Sequence, residues 1–319
     1  MSTKLSRMIG RAMSPQGPRA RLAIFGYHQV LGAKDPLRPD EPDSEEFQCD
    51  VEVIRQTFNV LKLPDAVDLL VAGKLPERAA CITFDDGYTN NYEIAAPILE
   101  RAGVPATFFV ATRAIEDGVM WNDLIIDAIA KTGRHCLLNV IPDAETIRTN
   151  EIDVYDLVLE VIARMKYQPL ELRQQLSVQF YEENTGCTAP RLMMDANMVV
   201  KLNSAGFDIG GHTINHPILQ ELTADDANAE IAGCRDWLVD KTGKRPRSFA
   251  YPNGIPGRDF SGRDQELVEA AGFDLAVTTQ WALARPDSGR YIIPRVGPWW
   301  RQGRSLSSGL ARSYLKSYL

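Results

Sequence analysis

Two histidines four residues apart are the first candidates for chemistry. His212 and His216, two of only four histidines in the chain, lie in the segment Gly-Gly-His-Thr-Ile-Asn-His-Pro, residues 210–217. This separation lets both imidazoles face one metal ion. Because Pro217 disfavours helical geometry at His216, a tight loop or a first helical turn is favoured over a mid-helix pair. Taken alone, the pair more often represents two polar loop residues, one of them capping the next element, than a metal site.

Two adjacent aspartates strengthen the metal interpretation. Asp85 and Asp86 follow the apolar run 79–84 and precede Gly87. An Asp-Gly pair is also common in type I turns, but neighbouring carboxylates at the end of a buried strand are costly to desolvate without a cation. One carboxylate and two imidazoles leave a tetrahedral ion with an open position for water. The second carboxylate is then available as a base that activates this water.

The elements that must position these residues alternate between short apolar runs and helix-patterned stretches. This alternation predicts a parallel sheet with crossover helices, and about seven strands favour closure into a barrel. Polar groups follow four of the apolar runs, at 27–28, 85–86, 212 and 251–254. Active sites of parallel barrels gather at the carboxyl ends of the strands. We therefore expect these four segments to meet on one rim.

Residues 119–200 interrupt the alternation and are predicted to form a helical insertion in a barrel domain of residues 21–300. Near its start, Trp121 and Asn122 carry groups that could face a ligand; the alternative is that they only begin a helix. Residues 301–319 are predicted to form a C-terminal helix. Residues 1–20 form a basic segment, which is either a solvated start of the chain or a point of contact with an anionic membrane surface.

Composition and charge exclude several function classes. The net charge of −7 argues against a general nucleic-acid binder, which needs a basic face. Five scattered cysteines without a Cys-x-x-Cys pair argue against a disulfide framework and favour a reducing compartment. Neither a signal peptide nor an apolar run of about 18 residues is evident. We expect a cytoplasmic protein, in peripheral contact with the inner membrane face at most.

Three segments resemble signature motifs of the polysaccharide deacetylases (carbohydrate esterase family 4, the NodB-like domain). They are Thr83–Gly87, Gly211–Pro217 and Ala250–Gly254, and residues 106–110 resemble the strand that follows the first motif. The resemblance covers roughly 79–118 and 200–296 and leaves the insertion out. It implies an α/β fold, a distorted (β/α)7 barrel.

The resemblance also implies residue roles. Asp85 would be the general base, and Asp86, His212 and His216 would hold a divalent metal, with zinc favoured over Co²⁺, Ni²⁺ or Mn²⁺. The backbone N–H near Asn253 would help to hold the oxyanion. Tyr251, in the same segment, is expected to contact the substrate.

The sequence departs from the family pattern at two positions. The arginine that often steadies the catalytic aspartate is replaced by Ala250. Arg295 is the candidate substitute, and a surface arginine is the alternative. No histidine follows His216, so the family's late Leu-x-His motif is missing. Relatives that act on poly-N-acetylglucosamine place a histidine in an N-terminal Tyr-His pair, which indicates His28 as general acid; a structural, hydrogen-bonded histidine is the alternative.

The predicted function is metal-dependent removal of an N-acetyl group from a sugar, releasing acetate. A polysaccharide, an oligosaccharide and a lipid-linked sugar intermediate are all candidate substrates. A second hypothesis is a metal-dependent amidase for a non-sugar C–N bond. A third, a non-catalytic carbohydrate-binding relative, is disfavoured because it has no reason to keep four costly polar groups together.

Overall fold

The computed structural model describes residues 7–8, 10–12, 14–149 and 151–297. The chain divides into two compact units: one contains residues up to 34, 40–116 and 194 onward, and the other contains 35–39 and 117–193. The expected C-terminal helix, 301–319, lies outside the described residues, as does the start of the basic segment. The expected insertion, 119–200, covers most of the second unit and also residues 194–200, which belong to the first unit.

The first unit is built on parallel strands that form a nearly closed barrel. In spatial order the seven main strands are β1, β3, β4, β5, β6, β7 and β8. A two-residue strand, β2, pairs with β3 at the side of this path. The barrel closes where Phe25 bridges Val296, whose N–H donates to Ile24 at 2.7 Å. The predicted (β/α)7 barrel is therefore confirmed. The strands are β1 (Ala23–Tyr27), β2 (Asn59–Val60), β3 (Ala79–Phe84), β4 (Thr107–Val110), β5 (Asp208–Gly211), β6 (Ser248–Ala250), β7 (Leu275–Trp281) and β8 (Ile293–Arg295).

Helices cross over between the strands, and capping residues define the ends of two of them. Helix α1 begins after a capping box in which Asp43 and Glu46 satisfy each other's backbone N–H. Helix α3 ends at Gly103, whose φ of 65° is left-handed. A π-helical turn, Asn91–Ala95, precedes α3. The helices of the first unit are α1 (Ser44–Thr57), α2 (Leu63–Val71), α3 (Ala96–Ala102), α4 (Thr112–Asp117), α8 (Ala196–Ser204), α9 (Ala224–Thr242) and α10 (Gly262–Ala270).

The barrel strands are buried on both faces, as expected of parallel strands covered by helices. Every residue of β1, β3 and β4 is buried. Rings from these strands stack across the sheet: Phe84 lies 4.9 Å from Phe108 and 5.6 Å from Tyr27, centroid to centroid. This packing fixes the strand ends on which the polar residues stand.

The second unit is helical and has its own core. It contains α5 (Trp121–Thr132), α6 (Val154–Lys166) and α7 (Leu170–Thr185). Leu124, Ile129, Leu157 and Phe180 are completely buried in it. Among the described residues of the whole chain, no helix combines the length and apolar character needed to cross a bilayer.

Candidate active site

Hydrogen bonds that continue the sheet beyond the strand ends place the polar residues side by side. The N–H of Asp85, just after β3, donates to the carbonyl of Tyr27 at the end of β1. The carbonyl of Asp86 accepts from Ala111, after β4. His212, after β5, donates its N–H to Val110 at the end of β4. The expected convergence on one rim is therefore present.

Asp86, His212 and His216 form a cluster that could hold a metal ion. Oδ1 of Asp86 lies 3.2 Å from Nε2 of His212 and 3.5 Å from Nε2 of His216. This oxygen is buried and has no well-aligned hydrogen bond within the described part of the chain. The Asp86 oxygen and the two histidine nitrogens therefore converge on one point, and the oxygen is buried without a well-aligned hydrogen-bond donor among the described residues. This arrangement fits a divalent cation.

The tautomer of His212 is set for metal binding. Its Nδ1 lies 2.7 Å from the carbonyl oxygen of Ala250, at the end of β6. A carbonyl only accepts, so Nδ1 carries a proton, and Nε2 is the ring nitrogen that faces the cluster. The neighbouring strand thereby orients the first histidine of the pair.

The charge state of Asp86 also suits a ligand. Burial alone would raise the pKa of this carboxyl, but the neighbouring His212 and the charges of His216 and His28 outweigh it and lower the pKa. Asp86 therefore stays ionised at neutral pH even without a metal. A carboxylate must be ionised to coordinate a cation.

Left-handed backbone at non-glycine residues is concentrated around this cluster. Asp86 has φ 73°, Thr213 67°, His216 52° and Asn253 60°. Such a conformation is uncommon outside glycine and costly for a β-branched residue such as Thr213. It persists only where the surroundings hold it, and it is typical of functional sites.

Asp85 is held by a buried arginine. Arg295 Nη1 and Nη2 donate to the two oxygens of Asp85 at 2.8 and 2.7 Å. The guanidinium also donates to Thr83 and to the carbonyl of Thr278. The side chains of Arg295 and Asp85 are only 2% and 4% exposed. Arg295 on β8 thus makes the contact with Asp85 that was expected of an arginine at position 250.

This contact decides the charge of Asp85. Burial would raise the pKa of the carboxyl, but the charge and hydrogen bonds of Arg295 more than offset it and lower the pKa. Asp85 is therefore an ionised carboxylate beside the candidate metal cluster. Its geometry is that of a proton acceptor with a fixed orientation.

His28 lies on the same rim, one residue beyond β1. Its side chain is 32% exposed, and Nδ1 lies 3.8 Å from an oxygen of Glu41. Burial would lower the pKa of His28, but Asp86, Glu41 and Asp85 outweigh it and raise the pKa. A raised pKa favours the protonated imidazole, the form that a proton donor needs.

The loop after His28 is tied to neighbouring segments. Gln29 donates its N–H to Glu41 at 3.0 Å, and the amide of Asn90 donates to the Gln29 side chain. Glu41 was not identified from the sequence, because it lies in an irregular loop without periodicity. Only its charge gave a signal.

The Pro-Asn-Gly turn after β6 is anchored on β7. The hydroxyl of Thr279 donates to the carbonyl of Asn253 at 2.6 Å, and the N–H of Thr279 donates to Gly254 at 3.0 Å. A side chain at Gly254, whose φ is 72°, would lie 2.9 Å from the N of Thr279. These contacts fix the turn whose backbone is the candidate oxyanion donor. The sequence did not point to Thr279.

Three residues expected to bind substrate lie in packed surroundings. The Tyr251 ring, instead of lining a binding surface, is fully buried and stacks on Phe260 with centroids 3.7 Å apart. Along a strand, alternate side chains share a face, so Tyr251 joins Phe249 in the layer outside the barrel. In the second unit, Trp121 is 9% exposed and lies under the guanidinium of Arg173. Asn122 is half-buried. A sugar contact by Trp121 or Asn122 stays a prediction.

The fold and the site together define a parallel-barrel hydrolase with paired carboxylates and histidines at its strand ends. The sequence profile of the polysaccharide deacetylase family matches residues 72–151 and 175–275, more than half of the chain. The chain therefore belongs to the polysaccharide deacetylase family. It is a hydrolase of linear amide C–N bonds, an N-deacetylase.

Similar proteins agree with this assignment. The chain is 23% identical over 300 residues to YxkH of Bacillus subtilis, which is named as a polysaccharide deacetylase; the match covers 93% of this chain and 77% of that protein. It is 20% identical to the poly-beta-1,6-N-acetyl-D-glucosamine N-deacetylase of Staphylococcus epidermidis, over 87% and 75% of the two chains. In fold it is similar to the Streptococcus pyogenes deacetylase PplD, with a TM-score of 0.61, 16% identity and coverage of 93% and 99%.

Proposed function

We propose that this protein hydrolyses the N-acetyl group of an N-acetylated sugar with the help of a divalent metal, zinc by preference, held by Asp86, His212 and His216. The observation that carries the proposal is the buried Asp86 oxygen that faces both Nε2 atoms. Asp85, the adjacent residue, is ionised and oriented by Arg295. When bound there, the metal would polarise water and the acetamide carbonyl.

Each residue of the rim has a role in the proposed reaction. Asp85 accepts a proton from water as the water oxygen attacks the carbonyl carbon. The backbone near Asn253 donates to the oxyanion. His28 donates its proton to the sugar nitrogen as the C–N bond breaks. The products are acetate and a free amino sugar, and proton exchange with solvent restores Asp85 and His28 to their starting forms.

The substrate class rests on a relative. The Staphylococcus epidermidis protein is named for poly-beta-1,6-N-acetyl-D-glucosamine, which supports a saccharide containing N-acetylglucosamine. A lipid-linked form of this sugar, met at the inner membrane face by a cytoplasmic enzyme, is compatible with the basic residues near the N-terminus. The proposed contact with the membrane face is supported by the charge of these basic residues.

Acetate release by the zinc-loaded protein tests the proposal. N-acetylated oligosaccharides, nucleotide sugars and lipid-linked sugars form the panel. Asp85→Asn should keep zinc and lose activity, whereas His212→Ala should lose both. A metal-free Asp85→Asn or an active His212→Ala would contradict the assigned roles. Bound zinc without acetate from any sugar would favour the non-sugar amidase.

A further inference from the structure

We infer that Glu230, a residue of α9, is a positioning residue that sets the metal affinity of the site by holding the backbone between the two histidine ligands. The inference rests on the proposed metal site. It concerns a side chain that touches neither the ion's ligand atoms nor a substrate position.

The carboxylate of Glu230 binds the peptide backbone of the loop that carries His216. Its Oε2 accepts from the N–H of Ile214 at 2.9 Å and from the N–H of Asn215 at 2.8 Å. Its Oε1 accepts from the side-chain amide of Asn215 at 2.6 Å. Glu230 itself is 7% exposed. A nearly buried carboxylate is thus satisfied by three N–H donors of a single loop.

The opposite edge of the same loop is bound by α4. The N–H of Thr112 donates to the carbonyl of Thr213 at 3.2 Å, and the N–H of Arg113 donates to the carbonyl of Ile214 at 2.9 Å. The loop carbonyls therefore face the start of α4, and the loop N–H groups face Glu230. The peptide groups between the two histidines are clamped from both sides.

The loop needs this clamp because its backbone is strained. Thr213 and His216 both have left-handed φ, a conformation that is unfavourable outside glycine and persists only where surrounding contacts hold it. Within the loop, the hydroxyl of Thr213 accepts from the N–H of His216 at 3.0 Å. If the Glu230 contacts are lost, the backbone can relax and Nε2 of His216 moves away from Asp86.

Helix α9 is shaped to bring Glu230 to the loop. Gly233, three residues on and on the same helix face, has no side chain, and a Cβ there would lie 2.6 Å from Cδ1 of Ile214. The Sγ of Cys234, one turn beyond Glu230, contacts the carbonyl of Val110 at the end of β4. The helix therefore approaches the loop closely enough for the Glu230 carboxylate to reach both backbone donors.

The test separates the effect of the length of the side chain at position 230 from the effect of its charge. Glu230→Asp keeps the charge and loses about one methylene of reach, whereas Glu230→Gln keeps the reach and an acceptor oxygen. Zinc affinity of the full chain is measured by competition with a fluorescent zinc chelator, after removal of bound metal. Supporting contacts around metal ligands typically change affinity about 10–100-fold. We therefore expect Glu230→Asp to bind zinc about tenfold more weakly or worse, and Glu230→Gln to stay within about threefold of the parent.

The control is Asp240→Ala, which removes an exposed carboxylate from the same helix and should leave zinc affinity unchanged. Parental affinity in Glu230→Asp would overturn the inference. A larger loss in Glu230→Gln than in Glu230→Asp, or a comparable loss in Asp240→Ala, would overturn it in favour of a charge effect. If the parent itself binds no zinc, the proposed metal site fails, which is a different result.

A measurement on the parent protein keeps the inference testable if Glu230→Asp does not fold. The N–H groups of Ile214 and Asn215 should exchange with solvent slowly in the metal-free protein, because Glu230 holds them. Exchange at the rate of an open loop would overturn the inference.

Discussion

Replacing Arg295 by methionine should lower both the stability of the fold and the rate of deacetylation. The substitution removes a guanidinium that makes two hydrogen bonds to Asp85, one to Thr83 and one to the carbonyl of Thr278. Methionine fills part of the space but donates nothing. Asp85 would be left as a buried carboxylate without its cation.

The burial of the Arg295–Asp85 ion pair determines how much the substitution lowers the free energy of unfolding. Exposed ion pairs contribute about 0–1 kcal/mol, but these side chains are 2% and 4% exposed. Removing one partner of a buried pair costs about 3–5 kcal/mol, because the remaining charge is uncompensated. This is a large part of the roughly 5–15 kcal/mol that stabilises a typical domain. We therefore expect Arg295→Met to lower the free energy of unfolding by about 3–5 kcal/mol.

The effect has a defined pH dependence. In the parent, the folded-state pKa of Asp85 is lowered, so its stabilising contribution is present above the unfolded pKa of about 3.9 and is lost as pH falls through the folded pKa. In Arg295→Met, burial is no longer offset and this pKa is raised. The difference in stability should therefore shrink as pH falls through the raised pKa of the variant. The acid limb of its activity profile should move to higher pH.

Denaturant unfolding of the metal-free proteins at several pH values, with deacetylation rates at saturating zinc, provides the assay. Arg247→Met is the matched control, because Arg247 also bridges carboxylates but is 37% exposed; it should cost about 1 kcal/mol or less. An Arg295→Met variant within about 0.5 kcal/mol of the parent, well below the expected cost of a broken buried pair, would refute the reasoning.

Three further outcomes are expected. His28 must be protonated to donate, so activity should fall as pH rises through its pKa. Burial lowers this pKa, but Asp86 and then Glu41 raise it, so Glu41→Gln should move the alkaline limb to lower pH; an unmoved limb in the rate profile would contradict the assigned proton donor. Thr279→Val removes the hydroxyl bond to Asn253, so kcat should fall more than KM rises, with about 1 kcal/mol of stability lost; an unchanged kcat would remove the turn from the oxyanion role. Zinc at 100 times its Kd should add about 2.7 kcal/mol to the stability, and a thermal scan whose midpoint does not respond to zinc and chelator would argue against a metal site.

The barrel could be predicted because its signals are local and repeated. Buried runs such as Ala79–Phe84 and the helix end at Gly103 follow from composition and position. The strand β2 could not be predicted, because two residues carry no periodicity. The π-helical turn over Asn91–Ala95 was also missed, since the residues are compatible with an ordinary helix.

In the candidate site, too, some residues could be predicted from the sequence and others could not. The histidine spacing and the paired aspartates pointed to the cluster, and a missing arginine directed attention to Arg295. Glu230 gave no signal, because it binds backbone N–H groups, which are the same for every sequence. The left-handed backbone at Asp86 and Thr213 was also invisible, since neither residue type requires it. Tyr251 was expected to contact the substrate, whereas its ring is buried, and the sequence did not show where the three-residue strand β6 ends and the turn begins.

The interruption of the barrel by the second unit has a consequence for biosynthesis. Strands β4 and β5 are paired neighbours, yet Val110 ends one and Asp208 begins the other. At translation rates of about 5–20 residues per second, the ribosome needs roughly 5–20 s to produce the chain between them. During this interval β1, β3 and β4 can assemble, but β4 presents an open edge that favours pairing with other chains. The edge of β4 that later pairs with β5 therefore stays open to such contacts until β5 has been synthesised.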